Sequence, residues 1–132
     1  MKIRPATPDD LPAIASIQGT TSWPPADYLN YDCLVAEVNG RVAGFLVARE
    51  VAPLEREVLY IAVDAAQRRS GIARGLMEHA LASFPGAWFL EVRETNITAR
   101  TLYESVGFHD AGRRQEYYRN PVEAAIVMRF FS

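Results

Sequence analysis

The stretch that most limits what this chain can become runs from residue 58 to residue 93. An apolar, β-branched run (58–63) passes through a polar turn into a sequence of helical spacing, and a second apolar run (87–93) follows Pro85-Gly86. Strand, helix and strand in that order close as a right-handed crossover with the two strands parallel. The helix carries Ile72, Leu76 and Ala80 with Met77, Leu81 and Phe84 on one stripe, at steps of three and four, until Pro85-Gly86 stops it.

The remaining elements are joined by short turns, which predicts antiparallel pairing around that parallel pair. Residues 1–5 read as a first strand with Ile3 inward. Thr7 then caps a helix that has Pro8 at its first position and Asp10 as capping-box partner, and Gly19 ends it. Residues 20–32 are irregular because Trp23-Pro24-Pro25 forbids a regular helix, with one turn expected over 26–31. Residues 33–38 and 41–51 flank Asn39-Gly40, a strong hairpin signal, and a polar break at 52–56 leads back to the strand at 58. Beyond residue 93, Asn96 caps a helix over 97–106 that Gly107 closes. Two last strands, 108–114 and 125–131, flank a loop that contains Glu116, Tyr117, Tyr118, Arg119, Asn120 and Pro121. The expected fold is α/β (α+β), a mixed, mostly antiparallel sheet of about seven strands with strands four and five parallel and splayed, flanked by helices. A chain of 132 residues is expected to form it as one domain, 1–132.

The turn between residues 63 and 72 has the layout of an anion site. The first N–H groups of a helix have no intrahelical partner, and the macrodipole adds partial positive charge there. Gly71 and Ala73 are small enough to let a phosphate approach the amides, and Arg68, Arg69 and Arg74 add charge at the rim. With a net charge of −2 and a pI near 5.7, the chain has no basic excess for nucleic acid or an anionic membrane, so these arginines are expected to serve a local anion. The P-loop and dinucleotide patterns are both absent. A single cysteine, Cys33, excludes an internal disulfide and a multi-thiolate metal site, and His79 and His109 lack companions at ligand spacing. No apolar segment approaches membrane-spanning length and residues 1–5 carry no signal-peptide core, so a cytoplasmic location is expected.

Arg68-Arg69-Ser70-Gly71-Ile72-Ala73, an R-x-x-G-x-A, resembles the coenzyme A pyrophosphate loop of the GNAT superfamily of N-acetyltransferases. The resemblance extends through Leu90-Glu91-Val92-Arg93 with Asn96, Leu102-Tyr103-Glu104-Ser105-Val106-Gly107-Phe108, and Arg114 with Tyr117-Tyr118. Those motifs are similar to the RimI branch, N-α-acetyltransferases of a small-subunit ribosomal protein, and cover the chain from about Cys33 onward. The resemblance implies acetyl-coenzyme A as co-substrate and no metal. It places the loop residues Arg68, Arg69, Ser70, Gly71, Ile72, Ala73 and Arg74 on the pyrophosphate, the backbone of Ile61, Ala62 and Val63 along the pantetheine arm, and Asn96 on the arm's other side. It assigns Glu91 as the base and Tyr103 as the acid. A carboxylate of ordinary acidity, pKa ~4.3, abstracts an amine proton inefficiently, which leaves two routes open: a carboxylate raised by burial, or an ordered water as relay. A structural ion pair of Glu91 with Arg93 or with an arginine of a neighbouring strand is the other reading of that residue.

The acceptor is less defined, because residues 18–32 are shorter than the segment that lines the family's acceptor groove. Trp23, Tyr117 and Tyr118 are the candidate acceptor-binding residues, with packing over the sheet edge and the strand-connecting loop as their alternative role. Three functions stay open: acetylation of a protein or peptide N-terminus; acetylation of a small amine held by Asp27, Asp32, Glu50 and Glu116; and a coenzyme A-binding module without turnover. No nucleic-acid or membrane partner is expected, and the protein is expected to be a monomer or homodimer.

Overall fold

A computed structural model of the chain describes residues 1–19, 23–68, 70–119 and 121–131. Its elements are β1 (Lys2–Pro5), α1 (Leu11–Gln18), β2 (Asp32–Val38), β3 (Arg41–Ala52), β4 (Glu55–Val63), α2 (Ile72–Ala82), β5 (Ala87–Arg93), α3 (Ile97–Ser105), β6 (His109–Tyr118) and β7 (Glu123–Phe131). Short 3₁₀ turns cover Pro8–Asp10, Pro25–Asn30 and Ala65–Gln67. The seven strands share one sheet in the order β1-β2-β3-β4-β5-β7-β6. The expected order of strands and helices is the observed one. β4 and β5 are parallel, paired from Glu55↔Ala87 to Glu57↔Phe89. The chain forms two compact units, Met1–Arg49 with Val58–Phe84, and Glu50–Glu57 with Pro85–Ser132.

In the first unit the sheet is covered on both faces, and β3 shows it: every residue from Ala43 to Ala48 is buried. Cys33, Val35, Phe45 and Val47 meet Ile14 of α1 and Tyr28 of the Pro25–Asn30 turn on one face. Gly44, on the other face, sits under α2, where a Cβ would lie 3.0 Å from Ile72 Cγ2 and 3.1 Å from the Ala62 carbonyl oxygen. That close approach seats the first turn of α2 against the sheet. At the chain start Asp10 accepts from the Thr7 N–H (2.8 Å) and pairs with Arg4 (2.9 Å), so the expected capping box is closed by its carboxylate. The Arg4 guanidinium holds the Asp10 carboxyl below the usual carboxylate range.

In the second unit β5 alternates: Trp88, Leu90 and Val92 are buried while Phe89, Glu91 and Arg93 point to the opposite face. Trp88, Leu90 and Val92 pair with Phe130, Met128 and Ile126 of β7. α3 covers that buried face through Tyr103, whose ring lies 6.1 Å from Phe108, itself 5.6 Å from Phe130. One expectation needs correction here. Glu116, Tyr117 and Tyr118 do not lie in a loop but on β6, which runs to Tyr118 through a bulge. Pairing with β7 breaks after Arg114↔Ala125 and resumes at Tyr118↔Glu123, and Glu116 takes a left-handed φ of 51°. A bulge hides a strand from sequence patterning because it breaks the two-residue alternation.

Candidate active site

In the first unit the end of β4 delivers the chain to the start of α2. The Asp64 N–H donates to the Ala43 carbonyl (2.8 Å), and its carboxylate accepts from the Ala66 N–H (3.0 Å), which turns the chain sharply after Val63. The Ser70 hydroxyl donates to the Gln67 carbonyl and closes the next step. Gly71 then precedes α2 with φ +78°, a left-handed conformation that costs glycine little. The strict requirement at Gly71 is thus its backbone; a Cβ there would meet open space.

No side chain caps α2 among the described residues, and Arg68, Ser70 and Gly71 are exposed. The first amides of α2, an adjoining arginine and an exposed, small-residue approach fit a phosphate-bearing ligand. Arg74 carries an ion pair to Glu78 one turn along the helix (3.1 Å). Arg69 lies outside the described residues. Ile61, Ala62 and Val63 are half-buried, next to an aromatic cluster in which Tyr60 stacks on Phe45 at 5.5 Å and lies 6.1 Å from Tyr28. Trp23 joins that cluster 5.8 Å from Tyr28 and stacks on Tyr31 at 6.2 Å, so it packs against aromatic neighbours and is also 40% exposed.

The second unit gathers the titratable residues. Glu91 is nearly buried, its side chain 12% exposed, with Oε1 3.4 Å from an Arg114 nitrogen. Oε2 is buried with no hydrogen-bond partner among the described residues, an expensive state for a carboxylate oxygen unless a ligand or water uses it. The ion pair named as the other reading of Glu91 is present, with Arg114 of β6 as partner, reaching past β7. Arg93 instead pairs with Glu123 (3.3 Å). Tyr117 approaches the Glu91 carboxylate, which pushes the phenol's pKa up. Tyr117 and Tyr118 meet edge to face at 5.1 Å, with the Arg114 and Arg93 guanidinium groups over their respective rings at 5.4 and 4.5 Å.

Tyr103 is 8% exposed, and burial, with a smaller contribution from Tyr118, pushes its pKa up to about 12. Burial also raises Tyr118 to about 12, with the Glu91 charge next in importance. Tyr118 lies within electrostatic reach of both Glu91 and Tyr103. Asn96 caps α3 by accepting from the Ala99 N–H (3.2 Å) and is exposed. The turn before it is held by groups that sequence reasoning missed. Glu123 accepts from the Thr95 N–H and hydroxyl, both at 2.6 Å, and Glu94 takes two hydrogen bonds from Arg113 at 2.8 and 3.0 Å. Their signal is invisible in sequence because each pair joins residues at least 19 apart.

Comparison with known proteins gives this arrangement its context. Residues 6–108 match the model of the acetyltransferase (GNAT) family. An uncharacterized protein of Mycobacterium leprae is 36% identical over 138 residues; the match covers 93% of this chain, which spans only 38% of that relative's length. The ribosomal protein bS18 alanine N-acetyltransferase of Escherichia coli (strain K12) is 36% identical over 107 residues, covering 76% of this chain and 70% of the enzyme. A crystal structure of the Escherichia coli ribosomal-protein-S18-alanine N-acetyltransferase superposes with a TM-score of 0.85 at 30% identity, over 98% of this chain and 92% of that one.

Proposed function

This chain belongs to the GNAT acetyltransferase family, and from that premise we propose that residues 1–132 act as one domain that acetylates the N-terminal α-amine of a protein, a ribosomal protein being the acceptor suggested by the bS18-acetylating relative. The observation that carries the proposal is the Glu91 carboxylate: nearly buried, with Oε1 3.4 Å from an Arg114 nitrogen, the Tyr117 phenol beside it, and an Oε2 that no described residue hydrogen-bonds within 3.5 Å.

Acetyl-coenzyme A supplies the thioester carbon and a thiolate leaving group. Gly71 and the first amides of α2 hold its pyrophosphate, with Arg68, Arg69, Ser70, Ile72, Ala73 and Arg74 lining the loop. The backbone of Ile61, Ala62 and Val63 pairs with the pantetheine arm as an added strand would and offers an N–H to the thioester oxygen. Asn96 binds the arm through its side-chain NH₂, since its oxygen is used in the cap. Trp23, Tyr117 and Tyr118 bind the acceptor.

Glu91 takes the proton that the amine loses as it attacks. The acceptor must be neutral to do so. An α-amine with pKa ~7.7–8.0 is neutral in roughly a tenth of molecules at pH 7, against fewer than about one in a thousand for lysine at ~10.4. That difference favours an N-terminus over a lysine as acceptor. Tyr103 keeps its proton up to a pKa of about 12 and therefore donates a hydrogen bond to sulfur throughout the neutral range. Because a thiol (~8.5) is a stronger acid than this phenol, Tyr103 shares its proton with the departing sulfur and is not left ionised.

The test is intact-mass detection of product after mixing the protein with acetyl-coenzyme A and a panel of acceptors: peptides with free Ala, Ser, Gly or Met N-termini, an N-blocked lysine peptide, spermidine and an aminoglycoside. Product from the free-N-terminus peptides alone is expected. Product from a small amine alone would replace the proposal with small-amine acetylation, and tight binding without any product would make the chain a coenzyme A-binding module. Glu91→Gln should lower turnover by about 10²-fold or more while leaving acetyl-coenzyme A binding intact.

A further inference from the structure

We propose that Arg93 is a positioning residue for the acceptor, acting with Glu123 to clamp the turn between β6 and β7 onto the end of β5. The inference rests on the reading of Tyr117 and Tyr118 as acceptor-binding residues and goes beyond it, because neither Arg93 nor Glu123 would touch substrate.

Arg93 is the last residue of β5, two positions after Glu91 and on the same face. One guanidinium nitrogen donates to the Pro121 carbonyl (3.1 Å) and meets Glu123 Oε1 (3.3 Å), while the other terminal nitrogen donates to the Arg119 carbonyl (2.8 Å). The guanidinium also lies 4.5 Å from the centre of the Tyr118 ring. These contacts all go to the segment that follows Tyr117. They hold the far side of the bulge: cross-strand pairs stop at Arg114↔Ala125 and resume at Tyr118↔Glu123, with Glu116 at φ 51° in between, and the Arg93 contacts begin where the pairing resumes. Arg93 therefore braces Tyr118 and the turn beyond it, while the Tyr117 ring lies under Arg114.

Glu123 extends the clamp. Its Oε1 faces Arg93 while Oε2 accepts from both the N–H and the hydroxyl of Thr95, the residue before Asn96. One carboxylate thus ties the acceptor turn to the turn that starts α3. The Arg93 side chain is about a third exposed, and pairs of that kind add little to global stability. Orientation is their larger consequence. A planar fork can serve two carbonyls and a carboxylate at once, and an ammonium group on a single stem cannot.

The test uses the full chain with Arg93→Lys, Arg93→Ala and Glu123→Gln. Peptide and acetyl-coenzyme A are titrated separately in steady state, acetyl-coenzyme A binding is measured by calorimetry without peptide, and hydrogen exchange is followed over residues 115–123. Loss of the clamp should raise the peptide KM about tenfold in Arg93→Ala and about threefold in Arg93→Lys, the equivalent of one or two hydrogen bonds. kcat and the acetyl-coenzyme A Kd should stay within about threefold, and the 117–119 amides should exchange faster.

An unchanged peptide KM in a folded variant overturns the proposal. So does a joint fall of kcat, peptide affinity and coenzyme affinity in step with thermal stability, the pattern of a purely structural residue. If Arg93→Ala does not fold, the Arg93→Lys comparison decides by the same criteria. If the wild type acetylates no free N-terminus, it is the acceptor reading that has failed. Exchange at 117–119 then decides the clamp alone: faster in the variants supports it, unchanged overturns it.

Discussion

Tyr28 sits wholly buried among Phe45, Tyr60 and Trp23, yet its hydroxyl has no hydrogen-bond partner among the described residues. A buried polar group without a partner costs about 1–3 kcal/mol, so Tyr28→Phe should stabilise the protein by about 1 kcal/mol in a denaturant melt. A loss of stability would mean that the hydroxyl is satisfied by water or substrate. Tyr103 carries a different prediction. With its pKa up to about 12, it should leave no downward limb in the rate profile below pH 10, while rate climbs through the amine's own pKa near ~8. Tyr103→Phe should lower kcat by roughly 10–100-fold with the acetyl-coenzyme A Kd unchanged, a loss equivalent to one hydrogen bond to a charged sulfur. Glu91 stands out in sequence as a charge in the middle of an apolar strand, and the structure places it there nearly buried. Its partner does not stand out: Arg114 lies 23 positions on and two strands away.

Among the elements, the strand–turn–helix that holds Gly71 was legible nearly to the residue, since a β-branched run, a glycine in a polar turn and helical spacing are all local signals. α2 stops at Ala82, two residues before the expected Phe84, and β4 starts at Glu55, ahead of the expected residue 58. What sequence could not show were close approaches and bulges: Gly44 under Ile72, and the displaced register that carries Tyr117 and Tyr118 onto β6. Gly71 joins both classes, because its pattern was visible while its φ of +78° was not. Gly71→Ala should therefore cost about 1–2 kcal/mol in the folded state and weaken acetyl-coenzyme A binding, read by thermal melt and calorimetry. If stability falls with no change in affinity, the loop does not bind the pyrophosphate.

For the molecule as a whole, the buried phenols set an alkaline limit. Tyr103 and Tyr118 are each raised to about 12, so their contribution to stability is complete below the unfolded value of 10 and is lost as pH climbs from 10 to about 12. Tyr103 alone accounts for about 3 kcal/mol of that loss. Asp10 acts at the other end. Its carboxyl is held low by Arg4, so the stability it adds is present above its unfolded value of 3.8 and disappears as pH falls below it. Chemical melts at pH 3, 7 and 11 should show the maximum at 7.

The central claim is that Glu91 drives acetyl transfer to a protein α-amine. One peptide bearing both a free N-terminal alanine and an internal lysine tests it most directly, incubated with acetyl-coenzyme A and either the wild type or Glu91→Gln, with the acetylated nitrogen located by tandem mass spectrometry. The account predicts a single acetyl group on the N-terminal nitrogen with the wild type and about a hundredfold less of it with the variant. Acetylation at the lysine, or equal N-terminal product from both proteins, would contradict it.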